Sequence, residues 1–231
     1  MPHWMPLPRI LARSSVMSTS SAPPHYGIVL PVKPPAVAKS RLLDLGDQSR
    51  RDLVVAFAAD TVTAALESPL VDVVLAVTDD FAFARGLADL GAEVIPDGTA
   101  DDLNASLLQA AAELHRRWPE LRIAALCADL PALRSGELTR ALSAAADDRQ
   151  SFVADSEGVG TTVLVAPSPQ DFLPRFGVGS REAHLSDGAL EIDLDDIETL
   201  RRDVDTPADL AAAIELGVGA RTSMVTTGLR L

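Results

Sequence analysis

The sequence predicts an α/β protein with a doubly wound, mostly parallel mixed sheet flanked by helices. Short apolar runs alternate with longer segments of helical spacing along most of the chain, which is the pattern of β–α–β units. Polar residues directly follow several of these runs, as ligand-binding residues do at the carboxyl ends of parallel strands. No internal repeat or linker interrupts the alternation, so we predict a single domain over residues 26–217.

Four strands and three helices are predicted in the first half of this domain. The apolar runs with the length and composition of buried strands are 26–32, 71–77, 92–95 and 121–128. The segments with helical spacing between them are 47–67, 81–90 and 105–117. Leu53, Phe57 and Val62 fall on one side of the first helix, and Gly91 is placed to end the second. Asp102 has the side chain of a helix N-cap before the third.

The second half continues the alternation with shorter elements. Helices are predicted at 135–146, 180–185 and 207–216, and strands at 151–155, 158–166, 189–193 and 200–205. Thr206 and Pro207 suit the start of the last helix, because Thr caps it and Pro is tolerated in its first turn. Residues 218–231 are interpreted as a C-terminal tail.

Composition and charge exclude several classes of protein. The chain has 231 residues, 47% of them hydrophobic, and a formal net charge of −13. This acidic balance argues against a nucleic-acid partner, which would require a basic face. The single cysteine excludes an internal disulfide, so we expect a cytoplasmic protein. No apolar run reaches the roughly 18 residues of a membrane span, so no membrane partner is expected.

The N-terminal residues are predicted to lie outside the folded domain. Residues 1–25 are interpreted as a disordered extension, since Met17 is followed by Ser-Thr-Ser-Ser-Ala-Pro-Pro, a composition that cannot bury a core. They show neither the long apolar core nor the cleavage site of a signal peptide. One hypothesis is that translation begins at Met17.

Two carboxylates are candidate metal ligands. Asp129 ends the apolar run at 121–128, and Asp205 ends the last predicted strand. Carboxylate oxygens at the carboxyl end of a strand can hold Mg²⁺. Asp203 would lie on the same side as Asp205 by the two-residue period of a strand. The alternative for Asp129 is that it only caps the following turn.

The chain's two lysines lie together in one loop. Lys33 and Lys39 are the only lysines in the sequence, and with Arg41 they give the loop after the first strand three cations. Lysine is a compact charge suited to a phosphate oxygen, and arginine adds a planar fork. A solvated loop without a ligand is the alternative. No Walker motif occurs in the sequence.

Further polar segments leave two interpretations open. Thr78 and Asp79 make the carboxyl end of the second strand polar. Asp101, Asp102 and Asn104 lie at the start of the third helix, where they either cap the helix or belong to a loop that wraps a nucleobase or ribose. Two glycine-containing segments, 158–162 and 174–180, could receive an anion through backbone N–H groups. Alone, each such segment is more often an ordinary turn.

Several motifs together resemble one known family. They are Val-Lys-x5-Lys-Ser-Arg-Leu at 32–42, Asp-Leu-Pro-Ala-Leu at 129–133, Gly-Thr-Thr at 160–162, Pro-Arg-Phe-Gly at 174–177 and Asp-Val-Asp-Thr-Pro-Ala-Asp-Leu at 203–210. Over about residues 27–221 the chain resembles the phosphoenolpyruvate or 2-phospho-L-lactate guanylyltransferases of coenzyme F-420 biosynthesis. The resemblance implies a glycosyltransferase-A-like fold, shared with nucleotide-diphospho-sugar transferases. The wider superfamily has a Gly-rich first loop, which Pro34 and Pro35 replace here.

The resemblance also implies a reaction and roles for individual residues. GTP and phosphoenolpyruvate would give a guanylylated diphosphate and pyrophosphate. Asp129 and Asp205 would bind Mg²⁺ as the cofactor. Phosphoenolpyruvate would be held at Thr161, Gly177 and Ser180. The GTP phosphates would be held by Lys33, Lys39 and Arg41, with looser base and ribose contacts from Thr78, Asp79 and Asn104.

This chemistry requires no side-chain nucleophile, and none of the four histidines adjoins a motif. The lysines are expected to face the two carboxylates across a gap that seats the nucleotide.

The sequence leaves other functions open. The acceptor could instead be 2-phospho-L-lactate or 3-phosphoglycerate, which differ from phosphoenolpyruvate by a double bond or a hydroxyl. A molybdenum-cofactor-type cytidylyl- or guanylyltransferase is the second enzyme hypothesis. A non-catalytic nucleotide- or sugar-binding module is the hypothesis from another class. Handover of a labile product to the next enzyme is the expected macromolecular partnership, and no oligomeric state is predicted.

Overall fold

The fold is taken from a computed structural model of the chain, which describes residues 23–33, 39, 42, 46–99 and 102–228. The proposed start at Met17, nearly all of the predicted N-terminal extension, Arg41 and Asp101 lie outside the described residues. The strands are β1 (Tyr26–Pro31), β2 (Val71–Val77), β3 (Glu93–Ile95), β4 (Arg122–Leu126), β5 (Ser151–Ala154), β6 (Thr161–Ala166) and β7 (Leu190–Glu191). The α-helices are α1 (Asp47–Leu66), α2 (Phe81–Ala88), α3 (Leu103–Arg117), α4 (Ser135–Ala144), α5 (Ser180–Ser186), α6 (Glu198–Arg201), α7 (Pro207–Leu216) and α8 (Ala220–Thr227).

The strands form one sheet in the order β3-β2-β1-β4-β6-β5-β7. All neighbouring pairs are parallel except those that β6 makes with β4 and β5. The predicted doubly wound, mostly parallel mixed sheet is therefore confirmed. The chain winds outward from β1 to β2 and β3 and then returns to place β4 on the other side of β1. The carboxyl ends of β1 and β4 thus flank the topological switch point, where open α/β sheets receive ligands.

The reversed direction of β6 brings its first residues to the same edge of the sheet. The backbone N–H of Cys127, just after β4, donates to the carbonyl oxygen of Thr162 at 2.9 Å. The Cys127 thiol donates to the carbonyl oxygen of Thr161 at 3.4 Å. Thr161 therefore lies beside the end of β4, although it begins its own strand.

Helices cover both faces of the sheet. Leu107, Ala110 and Leu114 of α3 are buried in one core cluster with strand residues of one face. On the other face the core includes side chains from α1, α2, α4 and α6. This three-layer arrangement follows from strands that are apolar on both sides. Of the helices that the structure describes, none is long and apolar enough to cross a lipid bilayer.

The predicted last strand at 200–205 is wrong. Its first two residues belong to helix α6, whose Thr199 and Leu200 N–H groups both donate to the buried Glu137 carboxylate, at 2.8 and 3.2 Å. Residues 202–205 then belong to neither a helix nor a strand. The two-residue alternation of this segment reports an extended backbone, but it cannot report whether a neighbouring strand pairs with it.

The segment interpreted as a C-terminal tail contains helix α8, which packs against α1. The Asp60 carboxylate on α1 is 7% exposed and accepts the backbone N–H groups of Arg221 and Thr222 at 3.2 and 2.8 Å. A carboxylate at the first turn of a helix satisfies N–H groups that have no partner within the helix. Residues 218–228 therefore differ from the prediction, because local sequence pattern cannot show a capping group that lies 161 and 162 positions earlier in the chain.

Candidate active site

An acid pair bridged by lysine lies at the sheet's switch point. The ammonium group of Lys39 donates to carboxylate oxygens of both Asp129 and Asp205. Asp129 follows β4, Lys39 follows β1, and Asp205 immediately precedes the Thr206 cap of α7. Side chains separated by 90 and 166 positions in the chain thus meet in one cluster.

Local structure explains how each acid reaches this point. The carbonyl oxygen of Asp129 accepts the N–H of Val204 at 3.1 Å, so the two acid-bearing segments are joined directly. Thr206 and Asp209 form a reciprocal capping box at the start of α7. The Asp205 N–H also donates to Asp209, at 3.2 Å. Asp205 is therefore fixed by the helix start that follows it.

The acid pair lines a cavity of about 480 Å³. Lys33, Lys39, Asp129 and Asp205 supply its charged groups, and Val54, Phe57, Leu107 and Phe176 are among its apolar groups. Apolar walls with a few convergent polar groups are the usual composition of a small-molecule site. A cavity of this size admits a ligand as large as a nucleotide.

The charged groups of the site shift one another's pKa values. Burial alone would lower the pKa of Lys39, but the carboxylates of Asp129 and Asp205 outweigh burial, and the pKa is raised. Burial raises the pKa of Asp203 to about 7, and the negative charges of Asp129 and Asp205 add to this effect while Lys39 opposes it. Asp203 thus lies within electrostatic reach of the acid pair, and the surplus of carboxylates favours a cation of higher charge than one ammonium.

The donor set fits a hard divalent cation. Two carboxylates close enough to share one ammonium group can also share one metal ion, and Mg²⁺ takes carboxylate oxygens together with water or phosphate oxygens. Within the described ranges, no group of three or more His, Cys, Asp or Glu side chains has metal-binding geometry. A metal here would therefore take its remaining ligands from substrate or water.

The two lysines differ from the expected arrangement. Lys39 contacts both carboxylates directly, whereas the sequence predicted lysines facing the acids across a nucleotide-sized gap. The prediction missed this contact because Lys39 adopts a positive φ of 54°, a left-handed conformation uncommon outside glycine. Lys33 lines the same cavity but is exposed.

A buried histidine connects the segments that carry the predicted acceptor-binding residues. His184, on α5, is 0% exposed, and its Nδ1 is 3.0 Å from the Thr161 hydroxyl. Its Nε2 accepts the backbone N–H of Arg175 at 3.0 Å. Since Nε2 accepts, the neutral ring carries its proton on Nδ1 and donates to Thr161. His184 therefore ties the start of β6 to the loop that precedes α5.

The loop between Arg175 and α5 needs its glycines. Gly177 has a φ of 137°, which an L side chain rarely adopts, and its carbonyl oxygen accepts the N–H of Ser180 at 3.2 Å. The ring of Phe176 contacts the His184 ring edge-on, at 5.5 Å between centroids, and also lines the cavity. Phe176 thus links the predicted acceptor segment to the cavity wall.

The predicted nucleoside contacts make hydrogen bonds within the protein. The Asn104 amide donates to the carbonyl oxygen of Phe176 at 3.0 Å and accepts its N–H at 2.8 Å. The Asp79 carboxylate accepts the N–H of Asp97 at 2.9 Å, and Thr78 is buried. Among the described residues, these three are not part of the cavity lining. Their roles toward a nucleoside stay predictions.

Protonation of His184 is expected to oppose folding. Burial lowers its pKa to about 4, whereas an unfolded histidine titrates near 6.5. The unfolded chain therefore binds the proton first as pH falls. Stability that is present above about pH 6.5 is lost toward pH 4, with a contribution from His184 of about 2 kcal/mol between about pH 7.5 and 5.

Urea unfolding at those two pH values tests this expectation. In His184→Gln the pH-dependent loss should shrink by about that amount relative to wild type. His25→Gln is the matched control for the substitution, because His25 is exposed and its Nδ1 contacts the exposed Asp72 at 2.7 Å, and the loss on acidification should not shrink in this variant. A wild-type pH dependence in the His184 variant would contradict a buried neutral imidazole.

Sequence reasoning missed one residue of this region, His184, and gave another, Asp203, no role. His184 stands apart from the recognised motifs in the sequence, and only the fold brings it to Thr161. The sequence does contain a signal for Asp203, which lies two positions before Asp205. Its raised pKa, however, depends on burial and on the charge of Asp129, which only the fold brings near. An acidic residue two positions before a candidate metal ligand is the pattern that would have identified Asp203.

Comparison with known proteins identifies a related family over almost the whole described domain. Residues 26–230 match the family described as guanylyl transferase CofC like. A phosphoenolpyruvate guanylyltransferase from Streptomyces scabiei is 50% identical over 204 residues, which cover 86% of this chain and 94% of the relative.

Solved structures share the fold at lower identity. A nucleotidyl transferase from Methanothermobacter has a TM-score of 0.59 and 19% identity, with 83% of this chain and 97% of that chain covered. The Rv0371c protein of Mycobacterium tuberculosis, in complex with manganese, has a TM-score of 0.51 and 20% identity, with 83% and 99% covered. The sheet and its helical layers therefore have the same fold as these two proteins.

Proposed function

Since the chain belongs to the family of CofC-like guanylyl transferases, we propose that it transfers GMP from GTP to phosphoenolpyruvate. The products are enolpyruvoyl-2-diphospho-5'-guanosine and pyrophosphate, and the reaction serves coenzyme F-420 biosynthesis. The acceptor is supported by the Streptomyces scabiei relative, which bears the name phosphoenolpyruvate guanylyltransferase. The observation that carries the proposal is the meeting of Lys39, Asp129 and Asp205 in one cavity at the switch point.

The reaction joins two anions, and the residues of the cavity suit that task. A phosphate oxygen of phosphoenolpyruvate attacks the α-phosphorus of GTP, and the bond from that phosphorus to the leaving pyrophosphate oxygen breaks on the opposite side. Transfers of this kind depend on positioning and on stabilisation of spreading charge. Lys33 and Lys39 are the described cations of the cavity, and we assign them, with Arg41, to the phosphates of GTP.

Asp129 and Asp205 are proposed to hold Mg²⁺. When bound, a divalent ion would supply positive charge that polarises the phosphoryl oxygens of the substrates. The carboxylates already lie within reach of one cation, because Lys39 contacts both. The Rv0371c neighbour, solved with manganese, adds support for a divalent metal on this fold. Lys39 and a metal ion would compete for the same two carboxylates. Metal binding would therefore favour contacts of Lys39 with phosphate instead.

Thr161, Gly177 and Ser180 are proposed to receive phosphoenolpyruvate. Thr161 begins β6, Gly177 lies in the loop before α5, and Ser180 is the first residue of α5. His184 joins these segments through hydrogen bonds to Thr161 and Arg175. Backbone N–H groups in such a loop can bind a carboxylate or phosphate without a charged side chain. Thr78, Asp79 and Asn104 keep their proposed role near the base and ribose.

A pyrophosphate-release assay tests the function. GTP with phosphoenolpyruvate and Mg²⁺ should release pyrophosphate, and 2-phospho-L-lactate and 3-phosphoglycerate should be slower acceptors. ATP, CTP and UTP measure the preference for guanine. Activity confined to a molybdopterin acceptor, or GTP binding without pyrophosphate release under any acceptor, would refute the proposal in favour of the other enzyme or of a binding module.

We also propose that the enzyme acts in the cytoplasm and passes its product onward. The single cysteine supports a reducing compartment. An enol diphosphate is chemically labile, which favours rapid use by the next enzyme of the pathway.

A further inference from the structure

One buried hydroxyl contacts the backbone on both sides of Asp129. Thr61, in the middle of α1, is 0% exposed. Its Oγ1 accepts the N–H of Leu130 at 3.1 Å and lies 3.2 Å from the carbonyl oxygen of Ala128, as a donor. It also donates to the Phe57 carbonyl oxygen of its own helix at 2.8 Å. Its single proton is therefore shared between two carbonyl groups.

These contacts leave Asp129 little freedom. Both the residue before Asp129 and the residue after it are hydrogen-bonded to the same oxygen atom, which belongs to a rigid helix 67 to 69 positions earlier in the chain. The direction of the Asp129 Cα–Cβ bond is set by these flanking peptide groups. A shift of the turn would move the carboxylate relative to Asp205.

Thr61 differs from the other contacts that hold this turn. The Asp129 carbonyl oxygen accepts from Val204, and the Pro131 carbonyl oxygen accepts from Gly219 at 2.8 Å, but both of these donors are backbone N–H groups. Thr61 acts through a side chain. Its hydroxyl can be removed while the backbone of α1 stays unchanged, so its contribution can be measured directly.

We propose that Thr61 is a positioning residue that aims the Asp129 carboxylate at the shared metal position. The inference rests on the proposed function, in which Asp129 and Asp205 hold the divalent ion. Without the hydroxyl, the buried N–H of Leu130 loses its partner, and the turn relaxes toward another acceptor. Groups that orient a metal ligand typically contribute 10- to 100-fold to metal affinity or activity.

The experiment compares Thr61→Val with Thr61→Ser. Valine keeps the shape of threonine and removes the hydroxyl, whereas serine keeps the hydroxyl and removes the methyl group. Binding of Mn²⁺ to the full-length protein without substrates is followed by electron paramagnetic resonance. Thr61→Val should weaken Mn²⁺ binding by about 10-fold or more, and Thr61→Ser should lie within about 3-fold of wild type.

Thr63→Val is the matched control on the same helix. The Thr63 hydroxyl donates to the carbonyl oxygen of Ala59 at 2.8 Å, as Thr61 does to Phe57, but its other contact is the Arg221 guanidinium, which donates to it at 3.3 Å. The valine substitution has the same intrinsic cost to the helix at both positions. Wild-type Mn²⁺ affinity is expected in Thr63→Val.

Three outcomes would overturn the inference. They are wild-type Mn²⁺ affinity in Thr61→Val, equal loss in Thr61→Ser and Thr61→Val, and absence of Mn²⁺ binding by the wild-type protein. Should Thr61→Val not fold, the pair Thr61→Ala and Thr61→Ser gives the same comparison, with tighter binding expected for serine. Mn²⁺ binding by a wild-type protein that releases no pyrophosphate would refute the proposed function alone, and the variants would still decide the role of Thr61.

Discussion

Replacing Asp129 by Asn is expected to lower turnover of GTP and phosphoenolpyruvate at least about 100-fold, and Asp205→Asn is expected to do the same. Asparagine keeps the size of the side chain but removes one negative charge from the position that both carboxylates share with Lys39. The remaining acid cannot hold a divalent ion as tightly, because half of the anionic charge of the pair is gone.

The measurement is steady-state pyrophosphate release over a range of Mg²⁺ concentrations, with Mn²⁺ affinity as a second reading. Both variants should fold, since Lys39 keeps one carboxylate partner in each. Asp148→Asn is the control. Asp148 pairs with Arg149 in an exposed ion pair just before β5, at the end of the sheet opposite the carboxyl ends of β1 and β4. Near-wild-type turnover in either folded site variant would refute the metal assignment.

Lys39→Ala is expected to lower kcat/KM for GTP by about 100-fold, which is the usual scale for removing one charge-stabilising group from an active site. The lysine is held by two carboxylates and lines the cavity. We expect it to neutralise charge on the departing pyrophosphate. Lys39→Arg should recover part of the loss if positive charge is what matters, although the guanidinium differs in shape.

Metal affinity separates the lysine variant from the aspartate variants. Lys39→Ala removes the ammonium group that contacts both carboxylates and competes with a metal ion for them, so this variant should bind Mn²⁺ at least as tightly as wild type even though its turnover falls. Arg149→Ala is the control for the loss of a positive charge, since Arg149 lies in the exposed ion pair at the far end of the sheet from the cavity. GTP use that is unchanged in Lys39→Ala would contradict the phosphate role of the lysine loop.

Much of the fold followed from pattern. Strands β1, β2 and β4 and helices α1, α3 and α7 lie where apolar runs, helical spacing and capping residues predicted them, because those signals act over a few neighbouring residues. The two elements that differ from the prediction both depend on residues far away in the chain. Residues 200–205 alternate like a strand but pair with none of the strands that the structure describes, and α8 is capped by Asp60, which lies far away in the chain.

By itself the sequence determined the fold class, and it identified the two carboxylates and the lysine loop as the chemical groups of interest. Only the tertiary structure decided that Lys39 contacts both acids. It likewise decided that Thr61 brackets Asp129 and that His184 joins Thr161 to the Arg175 loop. The physical reason is range: residue spacing encodes periodicity and caps, whereas hydrogen bonds between residues far apart in the chain exist only after the sheet has set which strand ends are neighbours.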